Sequence, residues 1–123
     1  MTRVFVYGTL LRGEKNHHVL RSSPCLGVGR TEPAYTLVSL GSIPAMTRGG
    51  TTSVTGEIFE VTDEVLADLD RLEGHPDWYK RTTVRLTDGS FVEAYLMAPS
   101  AVEGKPVIAS GDWRGELGSE RGG

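Results

Sequence analysis

Two stretches of this chain hold residue types at a spacing that could do chemistry. The first is Glu73, the last residue of an amphipathic segment that closes on Gly74. A carboxylate at a helix C-terminus faces the negative end of the macrodipole, which disfavours its charge and raises its pKa, more so if it faces a partly apolar site. A carboxyl group tuned toward neutrality is what a general acid/base needs. Alternatively Glu73 is a solvated side chain eased by Arg71, Lys80 or Arg81. The second stretch is the loop Tyr7-Gly8-Thr9-Leu10-Leu11-Arg12-Gly13, directly after the run Val4-Phe5-Val6. A strand ending in a glycine turn and feeding a helix can aim several backbone N–H groups at one point, where they hold an anion or a developing oxyanion. Gly8 lets a ligand approach the backbone closely. A plain strand, turn and helix would give the same pattern. Tyr7 could place a hydroxyl in a pocket or simply pack.

Other chemistries fit less well. The loop lacks the Gly-Lys-Ser/Thr ending of a P-loop, and its glycines are wrongly spaced for a dinucleotide fingerprint. His17 and His18 are adjacent, so on a helix they point about 100° apart. His75 and Cys25 show no zinc-type pairing, so no metal site is expected. A nucleophilic Cys25–His pair has no local motif behind it. Trp78, Tyr79 and Trp113 suit a core or a pocket wall better than a nucleic-acid platform, because the net charge is −3. That charge also disfavours a membrane-surface role. One cysteine forbids an internal disulfide, and there is neither a membrane-spanning run nor a signal-peptide layout. A cytoplasmic setting is expected.

These groups must be held by the rest of the chain. Val4 to Tyr7 predicts a buried strand, and Asn16 to Arg21 a short helix. Strand-like pieces follow at Cys25–Arg30 and Ala34–Leu40. Pro44 limits the Ile43–Thr47 piece to an edge or irregular segment. Thr51–Val61 alternates, with a bulge expected at Gly56. Thr62 reads as an N-cap with Asp63 and Glu64 in the first turn. Val65, Leu66, Leu69 and Leu72 share one helical face ending at Gly74. Tyr79–Thr87 and Phe91–Ala98 form a hairpin across Asp88-Gly89. A last apolar element spans Val107–Trp113. About six strands and two helices predict an α+β fold: a small, mixed, mostly antiparallel β-barrel with flanking helices. Residues 1–114 read as one domain, and the glycine-rich 115–123 as a flexible tail.

Taken together, Val4-Phe5-Val6-Tyr7-Gly8-Thr9-Leu10, Arg12-Gly13, Asn16-His17, Ile43-Pro44, Gly56-Glu57-Ile58-Phe59-Glu60-Val61, Leu69-Asp70-Arg71-Leu72-Glu73-Gly74, Tyr79-Lys80-Arg81 and Ser110-Gly111-Asp112-Trp113 resemble the γ-glutamylcyclotransferase-like proteins. The likeness is greatest to the γ-glutamylamine cyclotransferase branch and to small bacterial members. The resemblance implies a cofactor-independent enzyme that converts a small γ-glutamyl amine or amide into 5-oxoproline and a free amine. In it, the Tyr7-Gly8-Thr9-Leu10 loop binds the γ-glutamyl group, Glu73 is the acid/base, and Tyr79 stands at the pocket wall. Leu11 occupies a position where related enzymes often carry lysine. An intramolecular ring closure needs a folded substrate, oriented donors and one tuned carboxylate, and no metal or organic cofactor. The alternative is a non-enzymatic binding protein for γ-glutamyl-like or 5-oxoproline-like ligands. A hydrolytic variant would release glutamate instead. The leaving amine and the oligomeric state are not readable from one chain.

Overall fold

The computed structural model describes residues 1–115. In chain order the strands are β1 (Thr2–Val6), β2 (Cys25–Arg30), β3 (Tyr35–Ser39), β4 (Pro44–Arg48), β5 (Thr55–Val61), β6 (Lys80–Arg85) and β7 (Phe91–Leu96). Helix α1 (Asp63–Glu73) joins β5 to β6, and short 3₁₀ turns occupy His17–Leu20 and Pro99–Ala101. The fold is therefore α+β, and its sheet runs β2-β5-β1-β7-β4-β3, with β6 hydrogen-bonded to β7.

The apolar run near the N-terminus becomes β1 in the middle of this sheet. Val4, Phe5 and Val6 are all buried, because both faces of the strand are covered. On one side β1 pairs antiparallel with β5, in the register Val4↔Phe59 and Val6↔Glu57. On the other it meets β7 in parallel at Val4↔Glu93. The second parallel contact joins β4 to β7 at Met46↔Leu96. The remaining ladders are antiparallel, so the mixed, mostly antiparallel character holds.

The closed barrel does not. The sheet curls, but β2 and β6 meet at a single bridge, Thr31↔Leu86. Two bonds make it, Glu32 N–H to Arg85 C=O (3.1 Å) and Thr87 N–H to Arg30 C=O (2.9 Å). Two bonds at one corner do not make a ladder, and β3 and β4 branch away from β7.

Three local expectations also change. The segment Ile43–Thr47 is neither edge nor irregular: β4 lies between β7 and β3. Its proline is tolerated because it is the first residue of the strand, where the missing N–H costs little. It supplies the strand missing from the count. No bulge forms at Gly56, which pairs in register with Gly29; the irregularity falls on β2 between Cys25 and Gly27. Gly56 is needed for closeness, since a Cβ there would sit 2.2 Å from the Val6 carbonyl oxygen. The helix expected over Asn16–Arg21 tightens to the 3₁₀ turn, with bonds such as Val19 N–H to Asn16 C=O (3.0 Å). Asn16 and His17 spend their side chains on the preceding loop instead of on a helix cap.

Helix α1 forms as its sequence dictates. The Thr62 hydroxyl accepts from Val65 N–H at 3.2 Å, and Gly74 ends the helix in the left-handed region at φ 66°. Val65 and Leu69 are buried beneath it. The Asp88-Gly89 hairpin joins β6 to β7 through Gly89 N–H to Leu86 C=O (2.9 Å). Ile108 and Trp113 complete the core, with Ile108 N–H donating to Leu37 C=O at 2.8 Å. Apart from Gly115, whose N–H donates to Asp112 Oδ1, the segment 115–123 lies outside the described residues.

Candidate active site

The loop after β1, the start of β4 and the end of α1 enclose a pocket of about 210 Å³. Tyr7, Gly8, Thr9, Leu10, Glu73 and Tyr79, which lie in three separate parts of the sequence, all line it. Phe5, Val6, Lys15, Asn16, Ile43, Pro44, Leu72, Trp78 and Tyr95 complete the wall.

Glu73 reaches the pocket because α1 stops there. Past the Gly74 cap the chain folds back, with Trp78 N–H donating to Gly74 C=O (2.9 Å) and Tyr79 N–H to Glu73 C=O (3.1 Å). These bonds bring both aromatic residues beside the carboxylate. Glu73 is half-buried, and burial pushes its pKa up from 4.5 to about 7. Desolvation by burial is the cause. The basic neighbours do not relieve it: Arg71 pairs with Asp68, and Arg81 Nε bonds Asp70 Oδ1 at 3.0 Å. Among the described residues no cation lies within ion-pair distance of Glu73.

The tyrosine hydroxyls around this carboxylate are tied into the frame. Tyr7 donates to Tyr95 C=O (2.6 Å) and accepts from Met46 N–H (3.0 Å). Tyr79 donates to Pro44 C=O (2.8 Å), and Tyr95 to Asp70 Oδ1 (2.7 Å). Burial pushes the pKa of all three well above the ordinary tyrosine value. They therefore remain protonated donors that lock β1, β4, α1 and β7 together around the pocket.

The loop after β1 is fastened by its carbonyls and side chains. Leu11 N–H bonds Gly8 C=O (3.0 Å), Asn16 N–H bonds Thr9 C=O (2.9 Å), and Asn16 Nδ2 donates to Thr9 Oγ1 (3.0 Å). His17 Nδ1 donates to Leu10 C=O at 2.9 Å. By contrast, the N–H groups of Gly8, Thr9 and Leu10 have no protein acceptor among the described residues. They remain available to a ligand, as the glycine turn suggests. Gly8 must be glycine for a further reason: a Cβ would lie 2.7 Å from Pro44 Cγ. Leu11 is buried and does not line the pocket.

Several contributors carry weak sequence signals. Glu57 is 6% exposed, a carboxylate inside a strand of apolar neighbours, and it anchors the far end of the loop. Its Oε1 accepts from Arg12 N–H (2.8 Å) and its Oε2 from Arg12 Nε (3.1 Å). Glu57→Ala should lower stability by about 1–3 kcal/mol, leaving a part-buried N–H unpaired, and raise KM as the loop loosens. Glu57→Gln, which keeps one acceptor, should recover part of both. Denaturant unfolding beside steady-state kinetics tests this; unchanged stability in the alanine variant would refute the anchoring role. Asn16, Lys15, Leu72 and Tyr95 join the wall through tertiary placement alone. The histidines serve the framework: His75 Nδ1 accepts from Arg81 N–H (2.9 Å), and His18 Nδ1 contacts Lys15 C=O (3.1 Å). No cluster of three His, Cys, Asp or Glu side chains suited to a metal occurs among the described residues. No helix among them is long and apolar enough to cross a membrane.

Comparison with known proteins gives the chain's relatives. The profile of the family described as gamma-glutamyl cyclotransferase, AIG2-like, matches residues 4–115. The Escherichia coli K12 gamma-glutamylcyclotransferase family protein YtfP is 34% identical over 111 residues, covering 90% of this chain and 95% of that one. Human gamma-glutamylaminecyclotransferase is 41% identical over 95 residues, covering 70% of this chain and 62% of the human protein. The crystal structure of an AIG2-like protein from Mus musculus superposes with a TM-score of 0.80 at 33% identity, covering 96% and 92% of the two chains.

Proposed function

The chain belongs to the gamma-glutamyl cyclotransferase, AIG2-like family and is an enzyme of the cyclotransferase type; on that premise we propose that it cyclises a γ-glutamyl amine or amide to 5-oxoproline, with Glu73 as general acid/base. One observation carries the reading: a carboxylate with no counter-ion among the described residues, its pKa near neutrality, shares a pocket with a loop whose Gly8, Thr9 and Leu10 N–H groups find no acceptor among those residues.

In this reading the N–H groups of Gly8, Thr9 and Leu10 hold the oxygens of the γ-glutamyl head, and Tyr7 and Tyr79 fix the walls against which it folds. Held in that bend, the α-amino nitrogen lies near the γ-carbonyl carbon, so ring closure needs no second reactant. Glu73 takes a proton from the α-amine as it attacks, and a five-membered ring forms through the new C–N bond. The tetrahedral carbon then expels the original amide nitrogen, to which Glu73 returns the proton. Atoms balance without water: the substrate divides into 5-oxoproline and a free amine. A carboxyl group with a pKa near 7 can both accept and donate at neutral pH. The free thiol of Cys25 fits a reducing compartment, and the proposal sets the reaction in the cytoplasm.

The test is 5-oxoproline release from γ-glutamyl amides, followed by mass spectrometry; glutamate in its place would point to hydrolysis and overturn the proposal. A pH profile gives a second check. Only ionised Glu73 can take the first proton, so kcat/KM should fall as pH drops below about 7, approaching tenfold per unit. A flat profile from pH 5.5 to 7 would contradict the assignment.

A further inference from the structure

Two large apolar side chains at the pocket mouth are left in water. Trp78 is 58% exposed and Leu72 37%, and both line the same pocket as Glu73. Leu72 is the last apolar position of the α1 face whose earlier members, Val65 and Leu69, are buried. The helix thus carries its apolar stripe one turn beyond the core and delivers it to the cleft. Trp78 is held there by its N–H bond to Gly74 and packs beside Tyr79, with ring centroids 5.7 Å apart. Exposed apolar groups gathered at a cleft mark a surface that a ligand covers.

Resting on the cyclotransferase reading above, we propose that Trp78 and Leu72 form a shelf for the hydrocarbon part of the leaving amine, and so set its class: amines bearing an alkyl or aryl chain, in preference to small or carboxylate-bearing ones. The placement follows from the chemistry. Glu73 must come within hydrogen-bond reach of the departing nitrogen to protonate it. The substituent on that nitrogen therefore leaves the pocket beside Glu73, where the sequence neighbour is Leu72 and the chain returning from Gly74 presents Trp78. A carboxylate on the leaving amine would meet the apolar shelf at the cost of its hydration.

The experiment compares kcat/KM for γ-glutamyl methylamide, butylamide, hexylamide and benzylamide with γ-glutamylglycine, by 5-oxoproline release. In the wild type, kcat/KM should climb about three- to fourfold for each methylene that leaves water, until the chain outruns the shelf. γ-Glutamylglycine should fall at least tenfold below the butylamide. In Trp78→Ala the hexylamide-to-methylamide ratio should shrink at least fivefold, and Trp78→Phe should restore most of it. A thermal melt of each variant confirms that the fold is kept, and Leu72→Ala supplies the same ratio test should Trp78→Ala fail it. A wild type indifferent to chain length, or one that prefers γ-glutamylglycine, overturns the shelf while leaving the cyclotransferase reading in place. Absence of 5-oxoproline from every amide overturns both.

Discussion

Glu73→Gln should cut 5-oxoproline release by about 10²- to 10⁴-fold, while its affinity for 5-oxoproline stays within a few-fold of the wild type. The amide keeps the shape of the carboxylic acid but cannot carry a proton from one nitrogen to the other. Because Glu73 makes no ion pair among the described residues, its neutralisation strands no charged partner. The same substitution has a second, opposite signature in stability. Between pH 4.5 and about 7 the folded protein holds a proton on Glu73 that the unfolded chain has given up. Stability from this group therefore declines as pH rises through that window, and above it the ionised side chain costs on the order of 2 kcal/mol, solvent at the pocket mouth keeping the cost below the full burial penalty. Glu73→Gln is free of that cost. Its melting temperature should exceed the wild type's by several degrees at pH 8 and match it near pH 5. Loss of activity with no pH-dependent gain in stability would mean that Glu73 acts, but not as a desolvated carboxylate.

The second large effect falls on the fold. Gly56→Ala should destabilise the protein by about 3 kcal/mol or more, at the upper end of overpacking costs. An added Cβ would stand 2.2 Å from the Val6 carbonyl oxygen and 2.7 Å from Phe5 Cζ. Neither can yield cheaply, because Phe5 is fully buried and Val6 is locked opposite Glu57 in the β1–β5 ladder. The damage should reach the site as well, since β1 runs straight into the Gly8 loop and Glu57 is the next residue along β5. Urea unfolding with 5-oxoproline binding on the same samples separates the two effects. A variant of wild-type stability would show that β1 and β5 can part without cost.

What the sequence revealed depended on how local the signal was. Helix α1 is written within a dozen residues: a threonine cap, acidic first turn, periodic leucines and a terminal glycine. Glu73 was legible from that end alone, and so was the direction of its pKa shift; the extent of its burial was not, because the pocket wall also draws on β1, β4 and β7. The loop was visible in its glycines, and its anchor Glu57 was not, being 45 residues away. The bond from the Tyr7 hydroxyl to Tyr95 C=O spans 88 residues and needs the parallel β1–β7 pairing first. Pro44 misled for a related reason. A proline does exclude a mid-ladder donor, but one residue of shift puts it at the strand's first position, and no short-range rule sets that shift. Barrel closure failed at β2 and β6 because curvature accumulates over the whole sheet, and no single strand encodes the final gap.

The contrast between the two tryptophans equips this protein with an optical readout of its own. Trp113 is 5% exposed in the core, while Trp78 stands in water at the pocket mouth. Their fluorescence therefore separates into a steady blue component that reports the integrity of the fold and a red component that reports the cleft. Any occupant that dehydrates the indole of Trp78 moves only the second. Ligand affinity can then be titrated by emission colour, without label and without turnover, even in a variant that has lost its catalytic carboxylate.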